Sequence, residues 1–108
     1  MDRRKVIIDT DCGSDDAMAI AMALNEPSIE IVLITTVHGN VTARQATVNT
    51  LTTIEYANTY EPPVYMGCEK PLLRDSCFAY ETHGNDGMGD IGLVPRRLTA
   101  CDGNGVLK

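Results

Sequence analysis

Four aspartates fall within eight residues, Asp9-Thr10-Asp11-Cys12-Gly13-Ser14-Asp15-Asp16, directly after the apolar run Val6-Ile7-Ile8. Like carboxylates held this close either raise one another's pKa or recruit a cation. Asp9 and Asp11 are two apart, so on a strand they point to the same side and into one space beyond its carboxyl end. Asp15 and Asp16 fall in or just before the first turn of a following helix, where unpaired N–H groups and the positive end of the dipole favour acidic residues whatever the function. The set is all oxygen, which suits a hard ion, Ca²⁺ or Mg²⁺, rather than zinc with its preference for His and Cys. The duller alternative is a solvated acidic turn.

Two motif readings fit this segment poorly. An EF-hand loop needs glycine at its sixth position, glutamate at its twelfth and a helix in front. Counted from Asp9 those places hold Ser14 and Ile20, and a strand-like run precedes them. Phosphotransferases of the haloacid-dehalogenase type also run an apolar strand into D-x-D, with one aspartate as nucleophile. They carry Thr or Val two residues after the second aspartate, where this chain has Gly13.

The segment resembles the D-x-D-P-G-x-D-D signature of the inosine-uridine-type nucleoside N-ribohydrolases, with Cys12 where that family usually has proline. The exchange relaxes the turn and removes no oxygen ligand. Further stretches agree in order. Ile34-Thr35-Thr36-Val37-His38-Gly39-Asn40 is similar to the family's second strand and its T-T-x-x-G-N turn. Val64-Tyr65-Met66-Gly67-Cys68-Glu69-Lys70-Pro71-Leu72, followed by His83-Gly84-Asn85-Asp86-Gly87-Met88-Gly89-Asp90, is similar to its G-x-x-x-P-L and H-G-x-x-G-x-G segments.

The resemblance runs from about Lys5 to Ile91. It implies an α/β fold, an open Rossmann-like and mostly parallel sheet with flanking helices, of which only the N-terminal part is present. It also implies hydrolysis of the N-glycosidic bond of ribonucleosides to free base and ribose with a Ca²⁺-bound water. By position Asp11 would hold Ca²⁺ and take the proton from the attacking water, Asp16 would be a second metal ligand, and Asp9 would support the metal from just behind. Asp15 and Asn40 would hydrogen-bond ribose hydroxyls, and His83 would lie near the leaving base. That chemistry is coherent, because breaking a glycosidic bond builds positive charge on the sugar that nearby carboxylates stabilise. The implied partner is a small nucleoside, with homo-oligomerisation open for a full-length form.

The elements that must position these groups alternate. Ala17, Ile20, Ala21 and Leu24 recur at i, i+3, i+4 and i+7 and mark a helix with one buried stripe, ended by Asn25-Glu26-Pro27-Ser28. Ile29, Ile31 and Val32-Leu33-Ile34 predict a strand continuous enough to be buried on both faces. A second helix is expected from Thr42 to Ala57, with Val48, Leu51 and Ile54 inward, and a short strand from Val64 to Met66. This is the start of a βαβ array, in which ligands gather outside the carboxyl ends of the strands. Both Asp9 to Asp16 and Val37 to Asn40 lie at such ends. From Leu73 the periodicity fades, and the glycine-rich stretch His83 to Gly89 reads as a mobile loop over the site.

Composition narrows the setting. A net charge of −6 over 108 residues argues against nucleic-acid and anionic-membrane surfaces. No run approaches the roughly 20 apolar residues of a spanning helix, and the start lacks a signal peptide's apolar core, so the cytoplasm is expected. Cys12, Cys68, Cys77 and Cys101 show no metal or dithiol spacing and read as reduced structural thiols, Cys12 as an unreactive one. His38 fits a turn or packing role, Asn40 a turn or cap as well as a site, and His83 a surface loop as well as a site. Met18, Met22, Met66 and Met88 read as core filler or loop cover.

Residues 1–91 thus read as the N-terminal part of a nucleoside hydrolase domain and 92–108 as a divergent tail, disordered in one reading. The family's later calcium ligands, further ribose-binding residues and a second histidine have no counterpart, so a truncated chain is expected. Two other functions stay open beside the hydrolase. One is a non-catalytic remnant that binds nucleoside, ribose or a full-length relative; the other is a metal-dependent phosphatase with Asp9 as nucleophile.

Overall fold

The computed structural model describes residues 2–67 together with Pro95 and Ala100. Within them the chain runs β1 (Arg4–Thr10), α1 (Ser14–Asn25), β2 (Ile29–Thr36), α2 (Ala43–Ala57) and β3 (Val64–Met66). The strands form one parallel sheet in the order β1-β2-β3, each joined to the next through a helix. The expected βαβ array is therefore present, and all three strands end on the same edge.

Helix α1 begins at Ser14, three residues ahead of the first apolar repeat position. The Asp16 carboxylate reaches back to accept the Gly13 N–H at 3.1 Å, and Asp15 and Asp16 occupy the first turn. Acidic residues there offset unpaired N–H groups and the dipole, which is why the helix starts inside the acidic cluster. Thr42 caps α2 rather than joining it, its hydroxyl accepting the Gln45 N–H at 3.1 Å. Asn58 ends α2 in the left-handed region at φ 53°, with its N–H on Ile54 C=O.

α1 and α2 pack against each other and against β2. The core between them holds Ile20 and Leu24 from α1, Ile31 and Ile34 from β2, Leu51 and Ile54 from α2, and Val64 from β3. Ile31 and Ile34 are three apart, a spacing that would send them to opposite faces of a regular strand. A register shift between Val6 and Ile7 resolves this: Val6 pairs with Ile31, Ile7 with Leu33, and Val32 is left out of the pairing. The bulge returns Ile34 and Thr36 to the helix-covered face.

Two expectations are corrected here. β2 is not buried on both faces, since Val32 is 41% exposed and Ile7 beside it on β1 is 64% exposed. Met18 and Met22 are exposed on the outer side of α1 and Met66 lies exposed at the end of β3, so none of the three fills the core; Met88 lies outside the described residues.

Candidate functional site

The carboxyl ends of the three strands are laced together by backbone hydrogen bonds. Val37 N–H donates to Thr10 C=O at 3.0 Å, which carries the β1–β2 pairing past the end of both strands. Gly67 N–H donates to Thr36 C=O at 2.7 Å and does the same for β2 and β3. The acidic turn and the Val37 to Asn40 turn are thus held side by side, although Asp11 and Asn40 are 29 positions apart in sequence.

Asp11 sits at the centre of this edge. Its Oδ2 accepts the Asn40 N–H at 3.1 Å, and Gly39 passes so close that a Cβ there would fall onto the Asp11 carboxylate. Glycine is required at 39 because the backbone itself forms one wall around Asp11. The Asp11 side chain also lies within hydrogen-bonding reach of Asp16. Burial raises the Asp16 carboxyl above its ordinary range, the Gly13 N–H opposes that, and the neighbouring Asp11 and Asp15 carboxylates push it up further.

Asp9 is placed differently. It stands opposite Thr35 in the β1–β2 register, exposed, and its Oδ1 accepts the Thr35 hydroxyl at 2.6 Å. Among the described residues no three His, Cys, Asp or Glu side chains gather closely enough to hold a metal ion. Of the expected Asp9, Asp11 and Asp16, the structure brings Asp11 and Asp16 together and places Asp9 in a cross-strand pair beside them, because β1 keeps its alternation up to Thr10 and the chain turns only after it. Asp11 and Asp16 remain a pair of adjacent hard oxygen donors whose mutual repulsion a cation would relieve. That pair fits Ca²⁺ as part of a larger oxygen shell.

Of the other expected site residues, Asp15 is exposed in the first turn of α1 and Asn40 is half-buried in the turn after β2. His38 is half-buried in the same turn. His83, the His83 to Gly89 loop, Cys68, Cys77 and Cys101 lie outside the described residues, as does the boundary at Ile91.

Cys12 is fully buried and unpaired in any disulfide. Burial pushes its thiol up to about 11; a hydrogen bond with Thr50 opposes this, and the charges of Asp16, Asp11 and Asp15 add to it. A thiol held neutral so far above physiological pH is a poor nucleophile, in line with the unreactive reading.

Sequence reasoning missed three supports: Thr35 beneath Asp9, Gly39 against Asp11, and Asn49 of α2, whose side-chain amide donates to Cys12 C=O at 2.9 Å. Thr35 and Gly39 stood inside a recognised motif, but their work is to touch a distant side chain. Asn49 carried a different signal, a polar residue on the inward stripe of a helix.

The chain matches the model of a family described as inosine-uridine preferring nucleoside hydrolase over residues 6–105. That match continues beyond Ile91. It is 45% identical to the probable uridine nucleosidase 2 of Arabidopsis thaliana, over 87% of this chain and 30% of that protein. It is 42% identical to an inosine-uridine preferring nucleoside hydrolase of Leishmania major, over 93% of this chain and 32% of the relative. Among solved structures it is similar to a plant nucleoside hydrolase at a TM-score of 0.79 and 41% identity, covering 87% of this chain and 30% of that one. The chain therefore spans about a third of the length of the relatives it matches.

Proposed function

This chain belongs to the inosine-uridine preferring nucleoside hydrolase family, and on that premise we propose that it represents the N-terminal part of an enzyme that hydrolyses the N-glycosidic bond of ribonucleosides to free base and ribose. The single observation that carries the reading is the Asp11–Asp16 pair at the carboxyl edge of the sheet, walled by Gly39 and tied to the Asn40 backbone. Family membership favours this glycosidase over the phosphatase with Asp9 as nucleophile.

In the proposed reaction Asp11 takes the proton from the attacking water, and Asp11 with Asp16 would hold Ca²⁺. When bound, that ion would neutralise the paired charges and make water at the site more acidic. Asp9, held by Thr35, would support the metal from just behind. Asp15 and Asn40 hydrogen-bond the ribose hydroxyls, orienting the sugar so that charge developing on its ring faces carboxylates. His83 serves the leaving base. The domain assignment of residues 1–91, with 92–108 as a tail, belongs to the same proposal.

No helix among the described residues is long and apolar enough to cross a membrane. A cytoplasmic location, no nucleic-acid or membrane partner, and assembly into homo-oligomers in a longer form complete the reading. The test is release of base and ribose from inosine and uridine by the purified chain with added Ca²⁺. Turnover that Asp11→Ala abolishes is expected; turnover that survives Asp11→Ala overturns the assignment.

A second reading rests on the chain's length, about a third of its relatives'. With two converging carboxylates among its described residues, the chain would bind a nucleoside or ribose without turning it over. Calorimetric binding of inosine with no base released supports that reading over the first.

A further inference from the structure

Helix α2 turns an unusual face inward: Thr47, Asn49, Thr50, Thr52 and Thr53 are all buried. Each threonine donates to a carbonyl of its own helix, Thr47 to Ala43 C=O at 2.7 Å, Thr50 to Ala46 C=O at 2.8 Å, Thr52 to Val48 C=O at 2.7 Å and Thr53 to Asn49 C=O at 2.8 Å, while Thr47 also meets the Thr36 hydroxyl at 2.6 Å and Thr50 the Cys12 thiol. Asn49 is different. It has no exposed surface, and its Nδ2 leaves the helix to donate to Cys12 C=O at 2.9 Å, across 37 residues of sequence.

The acceptor stands between Asp11 and Gly13, in the second of the two peptides that join Asp11 to the cap that seats Asp16. On one side of it Cys12 N–H is held by the Thr10 hydroxyl at 3.0 Å, and on the other Gly13 N–H by Asp16 at 3.1 Å. Asn49 is itself oriented, because Gln45 Nε2, one helical turn earlier, donates to its Oδ1 at 2.9 Å. A buried amide whose donor and acceptor are both assigned has a single rotamer that fits, so the strut is stiff.

We infer that Asn49 is a positioning residue for the candidate site, a strut from α2 that fixes the Asp11–Gly13 turn and so sets the separation of the Asp11 and Asp16 carboxylates, with Gln45 holding the strut in register. The inference rests on the hydrolase reading only where catalysis is concerned; the strut itself is a property of the fold. Its effect on the two carboxylates passes through the backbone between them.

The turn carries its own reporter, the buried Cys12 thiol. Native-state alkylation by iodoacetamide, resolved by peptide mass spectrometry so that each cysteine is read separately, measures how often the turn opens. Asn49→Leu keeps the number and branching of the side-chain heavy atoms and deletes the donor, and is expected to speed Cys12 labelling at least tenfold. Asn49→Ala should do the same or more, and Gln45→Ala, which folds with little lost packing, should give an intermediate increase. Leu24→Ala, a core truncation away from the turn, calibrates how much labelling follows from lost stability alone.

Labelling in Asn49→Leu within twofold of wild type overturns the inference, and so does equal labelling in Leu24→Ala at the same fall in Tm. For the reaction, base release by Asn49→Leu should show a lower kcat with KM for inosine changed less than kcat. If the wild-type chain releases no base, the hydrolase reading fails alone, and the Cys12 rates still decide the role of Asn49.

Discussion

At the residue scale the candidate site is a matter of two carboxylates and what keeps them close to each other. A general base contributes about 10²–10⁴ in rate, so Asp11→Ala should cut base release at least a hundredfold in a coupled assay of free hypoxanthine from inosine. Gly39→Ala drives a methyl onto the Asp11 carboxylate. Overpacking of that kind costs about 1–3 kcal/mol, to be read from urea unfolding, and base release should fall with it because Asp11 is the group displaced. Asp16 gives a prediction of opposite sign. Its carboxyl is raised by burial and by Asp11 and Asp15, so the stability it lends is complete below the usual carboxylate range and is lost as pH climbs through the raised value. Asp16→Asn keeps an oxygen for the Gly13 N–H and removes the repulsion. In EDTA it should therefore raise Tm at neutral pH and flatten the loss of Tm that sets in as pH rises above the usual carboxylate range. An unchanged Tm across that rise in pH would contradict the shared-charge account. The acidic cluster was readable because four aspartates in eight residues have few innocent explanations. The separation of Asp9 from Asp11 and Asp16 was not, because it depends on where β1 stops, a backbone event that the alternation of residue types does not encode.

The elements were legible where burial follows a single period. The apolar stripe of α1, the three-residue spacing in α2 and the Val64–Met66 run all found their places. The sequence failed to reveal the β2 bulge, since Ile31 to Ile34 is uniformly apolar and offers no contrast between inward and outward positions. The extra residue, Val32, is as apolar as its neighbours and is nonetheless exposed. Tyr60 completes that local solution by accepting the Ile31 N–H on its hydroxyl at 2.8 Å, a tie from the α2–β3 connection that no local pattern announces. α2 was located by periodicity, yet its buried threonines and Asn49 were hidden by it, because an apolar-stripe search passes over polar residues on the same stripe. The Thr42 cap is a feature of the element as a whole. Thr42→Ala removes the acceptor for Gln45 N–H and should cost about 1 kcal/mol in urea unfolding. The same change should loosen Gln45 and, through it, Asn49, giving a small rise in Cys12 labelling beyond that of a stability-matched control.

On the scale of the whole molecule, three parallel strands with two helices packed against each other place Asp9, Asp11, Asp15, Asp16 and Asn40 on one edge and leave Ile7 and Val32 exposed. On the proposed reading the Asp11–Asp16 pair at this edge would supply part of an oxygen shell for Ca²⁺. Linkage turns that into a measurement independent of turnover. A ligand that binds only the folded state adds RT ln(1 + [L]/Kd), about 2.7 kcal/mol at a hundredfold excess over Kd. Ca²⁺ titrated into the wild-type chain should therefore raise Tm by an amount that grows with the logarithm of its concentration. In Asp11→Asn/Asp16→Asn the titration should be flat, while Asp9→Asn, which alters a cross-strand pair outside the converging carboxylates, should keep most of the wild-type slope. A slope that vanishes in Asp9→Asn as well would mean that binding draws β1 and the turn into one set, and that the exposed pairing of Asp9 with Thr35 gives way when the cation arrives.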